Sequence, residues 1–300
     1  MKVTKLEKRI VGWIERHELP AAMIPDPLYL KMDYRLMMGE SLNLRDPKTF
    51  NEKIQWLKLH NRRPEFVSMV DKYEAKRVVR QILGEDIHFA RTLGVWDRFE
   101  DIDFSALPEE FVLKGTHDSG SVVIFRKDER PDMDYVRQKM DVSLKTNWYS
   151  KRREWAYKNV KPRIMAEEYL EDGVSRSMTD YKFFCFNGEP RFLYASLGLE
   201  DHSKARISFF DLDGRKMPFY RRDYRPFEGD IVLPKNYAEM RKTAERLAAA
   251  IDSPFVRIDL YEIGDDIYFS EITFYPNAGV IPFEPKEWDR RLGDMIQLKK

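Results

Sequence analysis

Asp259 and Glu271 are the two side chains in this sequence whose types and spacing point most directly to chemistry. Each lies in a run rich in β-branched and aromatic residues, which is typical of a strand, and a short turn separates the runs. If the runs pair as an antiparallel hairpin, the carboxylates oppose each other with Cβ atoms about 5 Å apart, where like charges repel. A hard cation such as Mg²⁺ would turn that repulsion into a binding site, because it prefers oxygen ligands. The alternative is a polar face on which both carboxylates are solvated.

The hairpin that must position these carboxylates consists of Val256–Tyr261 and Tyr268–Phe274, joined through Gly264-Asp265-Asp266. A three-residue loop at these positions predicts that Ile263 faces Ile267. Side chains alternate between the two faces of a strand, so this register brings polar residues of both strands together. Four of them are then expected on one face: Arg257, Asp259, Glu271 and Thr273.

Length, charge and cysteine content limit the classes of protein to which the chain can belong. The chain has 300 residues, enough for a substantial core and for lobes that enclose a cleft. Its formal net charge is +1, so neither nucleic acid nor a membrane surface is an expected partner. No apolar window is long enough for a transmembrane helix, so stable membrane insertion is not expected, and residues 1–20 lack the pattern of a signal peptide. Cys185, the only cysteine, excludes an internal disulfide, suits a reducing compartment and is expected to be a packed thiol.

Hydrophobic periodicity predicts an α+β (mixed α/β) chain in which antiparallel sheets are covered by helices. Thr49 and Glu52 have the spacing of a capping box at the start of one helix. The predicted helices are Thr4–His17, Pro27–Met38, Thr49–His60, Lys72–Leu83, Met133–Leu144 and Tyr237–Ile251. The predicted strands outside the hairpin are Ala90–Gly94, Phe111–Lys114, Ser121–Phe125, Arg163–Leu170, Tyr181–Phe186, Arg191–Ser196 and Ala205–Phe210.

A second segment with chemical potential is the predicted strand that ends at Lys114 and continues into Gly115–Ser121, a loop of small hydrogen-bonding residues. Such a loop can place backbone N–H groups over phosphate oxygens while the lysine supplies positive charge. The two glycines could also simply permit an ordinary hairpin, which composition alone favours. On its own, His117 is expected to be exposed to water.

The strand end at Glu167 and Glu168, followed by Tyr169 and Leu170, is a third candidate. A backbone edge of this kind can hydrogen-bond a flat heterocycle while apolar residues cover its faces. An ordinary strand end explains the segment as well. Each candidate is weak alone, and the order of the three along the chain is the more informative feature.

In this order, the lysine loop, the Glu-Glu-Tyr-Leu strand end and the Arg-x-Asp and Glu-x-Thr strands resemble the ATP-grasp superfamily. More closely, the chain is similar to the TupA-like ATP-grasp family of bacterial capsule and teichuronopeptide loci. The similarity runs from about Pro47 to Pro282. Its specific segments are Phe50–Trp56, Asp71–Tyr73, Val112–Gly120, Val256–Tyr261 and Phe269–Pro276.

The resemblance implies the ATP-grasp fold, with ATP held between two lobes and Mg²⁺ bridging its phosphates. Arg257 would stabilise charge on the transferring group. The implied metal ligands are Asp259 and Glu271, with either Asn277 or a water molecule compensating for Thr273, which stands where many relatives have asparagine. The implied nucleotide-binding residues are Lys114, Thr116, His117, Asp118, Ser119, Gly120, Ser121, Glu167, Glu168, Tyr169, Leu170 and Lys182.

The resemblance also implies an activity. It is that of an ATP-dependent carboxylate-amine ligase in the bacterial cytoplasm, joining an amino acid or small amine to a uronic acid of a surface polysaccharide or its precursor. An acyl phosphate is the expected intermediate, and ADP and phosphate are the products. A glycosyltransferase of capsule biosynthesis and a noncatalytic nucleotide- or sugar-binding module are the alternatives.

Three basic residues are expected to bind substrate: Lys72, Arg152 and Arg153. Aromatic side chains near the last two can stack on sugars, and guanidinium groups pair with carboxylates. The alternative for this run is a solvated helix face. The expected domains are a helical region over 1–85, the N-terminal and central ATP-grasp subdomains with the phosphate loop over 86–170, and a C-terminal subdomain with the metal site over 171–300.

Overall fold

Two antiparallel sheets, each covered by helices, make up most of the fold, and a two-stranded sheet accompanies them. The computed structural model describes residues 23–171, 179–197, 205–228 and 233–299. Its α-helices are α1 (Asp26–Met38), α2 (Phe50–His60), α3 (Glu65–Val70), α4 (Glu74–Leu83), α5 (Met133–Lys145), α6 (Trp148–Arg152), α7 (Tyr237–Ala250) and α8 (Glu287–Met295). Its strands are β1 (Thr92–Trp96), β2 (Phe111–Gly115), β3 (Val122–Phe125), β4 (Ile164–Glu168), β5 (Asp180–Phe186), β6 (Glu189–Leu197), β7 (Arg206–Asp211), β8 (Tyr220–Arg221), β9 (Phe255–Ile263), β10 (Asp266–Thr273) and β11 (Phe283–Glu284).

The predicted elements within these ranges are confirmed, each to within two residues at either end. The capping box of α2 is also confirmed, because the Thr49 side chain accepts from the Glu52 N–H and Glu52 reaches back to the cap. The predicted helix Thr4–His17 lies outside the described residues. The short helices α3, α6 and α8 were not predicted. None of the helices in the described part of the chain is long and apolar enough to cross a membrane.

The small sheet has the order β1-β4-β2-β3 and packs one face on α5. Along β2 the side chains alternate, with Phe111 and Leu113 in the core beside Val136 of α5. Val112 and Lys114 point to the opposite face and are only partly buried. The period of two thus gives this sheet one apolar face and one face available for polar chemistry.

The large sheet has the order β10-β9-β5-β6-β7, and its centre is deeply buried. Every residue of β5 is buried, since neighbouring strands flank it on both sides. Phe50 of α2 joins an aromatic cluster with this sheet and meets Phe255 edge to face at a centroid distance of 5.0 Å. Burial raises the pKa of the Cys185 thiol, and the predicted packed cysteine is confirmed.

The hairpin between β9 and β10 differs from the prediction in its loop. Ile263 pairs with Asp266, so the turn consists of Gly264 and Asp265 alone. The predicted three-residue loop, with Ile263 facing Ile267, is therefore wrong. Gly264 has φ +63°, a left-handed conformation that glycine adopts at little cost in a tight turn.

A β-bulge at Ser270 restores the register that the shorter loop would have lost. Ser270 has no partner in the ladder, so the pairing shifts by one residue beyond it. Asp259 consequently pairs with Glu271, and Arg257 pairs with Thr273. The predicted opposition of the two carboxylates is confirmed, although the loop that was expected to produce it is not.

Candidate functional site

Asp259 lies between two cations from neighbouring strands of the large sheet. Arg257 Nε is 2.7 Å from Asp259 Oδ1, and Arg257 Nη2 is 2.6 Å from Asp259 Oδ2. Lys182, which β5 places directly opposite Asp259, donates to Oδ2 from 2.7 Å. The carboxylate is 0% exposed, so the alternative of a solvated pair is wrong for Asp259.

Glu271 has a different environment from its partner. Among the residues that the structure describes, it pairs with Arg257, whose Nη2 lies 3.8 Å from Glu271 Oε2 and 3.0 Å from Thr273 Oγ1. The Glu271 side chain is 27% exposed. The group that separates the opposed carboxylates in this structure is therefore the Arg257 guanidinium.

The opposite charges in this cluster stabilise one another's ionised forms. Burial alone would raise the pKa of Asp259, but Arg257 and Lys182 hold it below its usual range. Burial alone would lower the pKa of Lys182, but Asp180 and Asp259 raise it well above its usual value. Asp259, Lys182 and Arg257 are thus charged at neutral pH, and each is compensated.

The donor chemistry of the site suits Mg²⁺, since Asp259, Glu271 and Asn277 all offer oxygen atoms. The Glu271 side chain is partly exposed, whereas both Asp259 oxygens already accept bonds from cations. Asn277 Oδ1 accepts from Arg221 Nη2 at 2.9 Å. Across the described ranges, no three His, Cys, Asp or Glu side chains cluster as metal ligands. The metal ligands stay a prediction, and Asp259 would have to share a carboxylate that already accepts three hydrogen bonds from cations.

Lys114 lies on the polar face of the small sheet. It forms an ion pair with Glu167, which lies on the adjacent strand β4. Lys76 of α4 pairs with the same carboxylate at 2.5 Å and donates to Thr92 Oγ1 at 2.9 Å. Burial alone would raise the pKa of Glu167, but the two lysines hold it below its usual range. Lys76 was not predicted; its only signal was a position one helical turn after Lys72.

The loop after Lys114 is anchored by its own side chains. Ser121 Oγ accepts from the Gly115 N–H at 3.0 Å and donates to an Asp118 carboxylate oxygen. Thr116 is buried, whereas Ser119 and Gly120 form an exposed tip. The loop therefore connects β2 and β3 as a hairpin whose tip alone is open to a ligand.

His117 is buried, so its predicted exposure is wrong. Only 2% of the residue is accessible, and its Nε2 is 2.9 Å from the Ser143 carbonyl oxygen of α5. The reason is that the loop folds back onto α5, a contact between segments that are distant in sequence. A role in phosphate binding stays a prediction.

A sequence model of the TupA-like ATP-grasp family matches residues 52–297. The chain belongs to the TupA-like ATP-grasp family. Its two sheets and covering helices are accordingly an ATP-grasp fold, and both of these predictions are confirmed.

Solved structures similar to this TupA-like protein share little sequence with it. A D-alanine–D-alanine ligase from Bacillus anthracis complexed with ATP is 15% identical, covering 91% of this chain and 83% of that chain at a TM-score of 0.43. A D-alanine–D-alanine ligase from Helicobacter pylori is 13% identical, covering 84% and 68% at a TM-score of 0.45. An L-amino acid ligase from Bacillus licheniformis is 13% identical, covering 77% and 50% at a TM-score of 0.42.

The extent of these similarities is limited. Another structure of the B. anthracis enzyme is 20% identical at a TM-score of 0.39, and the match covers 69% of this chain but only 57% of that chain, less than two thirds of its length. No curated protein matches the chain. The family match, and not these similarities, identifies the chain.

Lys72 anchors the loop Gly115–Ser121 of this TupA-like protein. Its Nζ donates to the Asp118 carbonyl oxygen, and its backbone N–H donates to the Thr116 carbonyl oxygen at 2.9 Å. The neighbouring Asp71 accepts from Arg163 Nη2 at 2.9 Å, which ties the same region to the start of β4. These contacts position the loop, and substrate binding by Lys72 stays a prediction.

The predicted adenine-binding segment lies where β4 ends. Glu168 Oε1 accepts from the Arg91 backbone N–H at 2.7 Å, next to the edge strand β1. The Tyr169 hydroxyl accepts from Arg126 Nη2 at 3.3 Å, and the guanidinium lies 5.5 Å from the ring centroid. Leu170 follows, only partly buried. Their contact with adenine stays a prediction.

Arg152 and Arg153 hold α1 in place. Arg152 pairs with Asp33, and Arg153 Nε lies 3.1 Å from Asp26 Oδ1. The Arg153 guanidinium also covers the Tyr29 ring at 4.0 Å and is 2% exposed, so a solvated helix face is wrong for this residue. Substrate binding by either arginine stays a prediction.

Proposed function

We propose that this TupA-like ATP-grasp protein is an ATP-dependent ligase that joins a carboxylate to an amine through an acyl phosphate. The observation that carries the proposal is the Arg257 guanidinium, fixed by Asp259 at 2.6 and 2.7 Å and lying 3.8 Å from the partly exposed carboxylate of Glu271. A buried cation held in one place can stabilise charge on a transferring phosphoryl group without first having to reorganise. Family membership supplies the context.

The chemistry follows from the difficulty of forming an amide in water. Hydroxide is a poor leaving group, so the carboxylate oxygen first takes the γ-phosphoryl group of ATP, and ADP leaves. The amine nitrogen then attacks the carbonyl carbon, the C–O bond to phosphate breaks, and the nitrogen loses a proton. Mg²⁺ held by Asp259, Glu271 and Asn277 would supply further charge on the phosphate oxygens. Arg257 would contact the transferred group throughout.

The small sheet supplies the nucleotide end of the proposed site. Lys114 and Lys76 give two positive charges around Glu167, close to the strand end proposed to hold the adenine. The exposed tip of the loop, at Ser119 and Gly120, would cover the phosphates. Such cover matters because an acyl phosphate is hydrolysed where water enters.

For the substrates, we propose a uronic acid as the carboxylate and an amino acid or small amine as its partner. The uronic acid would belong to a surface polysaccharide or its precursor, and the reaction would take place in the bacterial cytoplasm. The resemblance to a family of capsule and teichuronopeptide loci supports this choice. The single buried thiol, Cys185, is compatible with a reducing compartment.

The test is incubation with Mg-ATP and pairs of uronic acids and amines, with ADP, phosphate and amide products followed by mass spectrometry. We expect ADP and phosphate to appear only when both partners are present. AMP and pyrophosphate would contradict the acyl-phosphate route. Cleavage of a nucleotide sugar without ATP consumption would indicate a glycosyltransferase, and ATP binding without turnover would indicate a noncatalytic module.

Lys114→Ala should weaken ATP binding about 10- to 100-fold, because a hydrogen bond to a charged group contributes about 1.5–3 kcal/mol. Calorimetric titration with Mg-ATP measures the change. Lys161→Ala is the matched control, since Lys161 lies in the same lobe but pairs with Asp97 on the exposed surface. Equal affinity in Lys114→Ala and Lys161→Ala would remove Lys114 from the site.

A further inference from the structure

The helix α2, which carries the family segment Phe50–Trp56, touches the turn that follows β10. Gln55 Nε2 donates to the carbonyl oxygens of Ala278 and Gly279, at 2.7 and 2.8 Å. Lys58 Nζ donates to the Ala278 carbonyl oxygen at 2.8 Å and to Gln55 Oε1 at 3.0 Å. Both side chains are 0% exposed, and these contacts are therefore shielded from water.

The turn has an unusual backbone. Asn277, Ala278 and Gly279 have φ values of 50°, 54° and 63°, so three consecutive residues are left-handed. Non-glycine residues rarely adopt this conformation, which persists when surrounding contacts hold it. The hydrogen bonds from α2 reach the two carbonyl groups inside this stretch.

Packing between α2 and the turn leaves no gap. A Cβ atom added to Gly279 would lie 2.7 Å from Ile54 Cγ2 and 2.8 Å from Gln55 Nε2. Lys58 also donates to the Arg152 carbonyl oxygen at 2.8 Å, so its three N–H donors meet three acceptors. The lysine thus donates to two backbone carbonyl groups and the Gln55 side chain, and it has no donor left for a ligand.

We propose that Gln55 and Lys58 are positioning residues that hold the Asn277–Gly279 turn in its left-handed form. The turn lies four residues beyond Thr273, the last residue of the strand that carries Glu271. Its conformation decides where the Asn277 side chain points, and Arg221 holds that side chain at 2.9 Å from the other side. The consequence for catalysis rests on the proposed function, whereas the effect on the turn does not.

Lys53 provides a matched control on the same helix. Its Nζ donates to the carbonyl oxygens of Gly293 and Ile296, each at 2.8 Å, at the end of α8. Lys53 and Lys58 therefore each donate to two backbone carbonyl groups, but they hold different segments. Of these two lysines, only Lys58 contacts the turn.

The experiment compares the full-length Lys58→Met and Lys53→Met proteins by hydrogen exchange, ATP calorimetry and steady-state kinetics. In Lys58→Met we expect exchange in peptides covering residues 274–281 to accelerate about tenfold or more. We expect its turnover number to fall about tenfold. The ATP dissociation constant should stay within about twofold, because Lys114 and Lys76, the lysines of the proposed nucleotide site, are unchanged. In Lys53→Met, the acceleration should instead appear around residues 293–296, with turnover unchanged.

The proposal is overturned if Lys58→Met and Lys53→Met show the same exchange in the turn, or if Lys58→Met loses ATP affinity instead of turnover. Should Lys58→Met not fold, Gln55→Glu is the second variant, because it removes the donors to both carbonyls and keeps the side-chain size. If the turn of Gln55→Glu exchanges hydrogen as slowly as that of the wild type, the proposal is also contradicted. If the wild type turns over no ATP, the proposed function fails, while the exchange measurement still tests the turn.

Discussion

Glu271→Gln should lower ATP turnover about 10²- to 10³-fold, the usual cost of removing one electrostatic contact to a transition state. Its melting temperature should stay within about 2 °C of the wild type, because a partly exposed ion pair contributes little to stability. The structure supports this separation, since Arg257 Nη2 is as far as 3.8 Å from Glu271 Oε2 and the Glu271 side chain is 27% exposed.

The control for this variant is Asp266→Asn. Asp266 lies on the same strand, at the far end of the hairpin, and its side chain is exposed beside His88. An assay of ADP release should show wild-type turnover for this control. Near-normal turnover of Glu271→Gln in the same assay would remove Glu271 from the reactive end of the site.

The elements of the fold were predictable because their signals are local. Periodicity located α2 and β9, and the Thr49 capping box marked where α2 begins. The bulge at Ser270 had no such signal, since a bulge depends on how two strands twist against each other. The pairing of Asp259 with Glu271 was predicted correctly because the bulge happened to offset the shorter loop.

The partners of the charged residues could not be predicted in the same way. Lys182 and Asp259 are 77 residues apart and meet only because β5 pairs with β9. Lys76 likewise reaches Glu167 from a helix that no local pattern connects with β4. Long-range contacts of this kind decide which polar residues are buried, and periodicity within one segment does not contain them.

Arg153 illustrates the same difficulty. A basic run next to aromatic residues predicts either a binding surface or a solvated face. In the structure, Asp26 and the Tyr29 ring of α1 cover the guanidinium. Three charged positions, Arg153, Glu167 and Asp259, are thus buried by elements that lie far from them in sequence.

Asp259→Asn should lose both stability and activity, in contrast to Glu271→Gln. The substitution removes the carboxylate that holds the buried Arg257 guanidinium, and it leaves Lys182 with Asp180 alone of its two carboxylate partners. Removing one partner of a buried pair typically costs about 3–5 kcal/mol of unfolding free energy. Urea unfolding at pH 7 measures this loss, and Asp266→Asn is again the control, expected to unfold like the wild type.

The loss should depend on pH in a direction that the structure fixes. Arg257 and Lys182 hold the pKa of Asp259 below its usual range in the folded protein, whereas the unfolded chain has a value of about 3.9. The carboxylate therefore contributes its full stability above the unfolded pKa, and this contribution disappears as the pH falls through the folded pKa. The difference in unfolding free energy between wild type and Asp259→Asn should be constant from pH 5 to 7 and shrink in more acidic solution. If this difference in unfolding free energy stays constant into strong acid, Asp259 does not stabilise the fold through its charge. The burial of the Arg257 guanidinium would then not be explained by its pairing with Asp259.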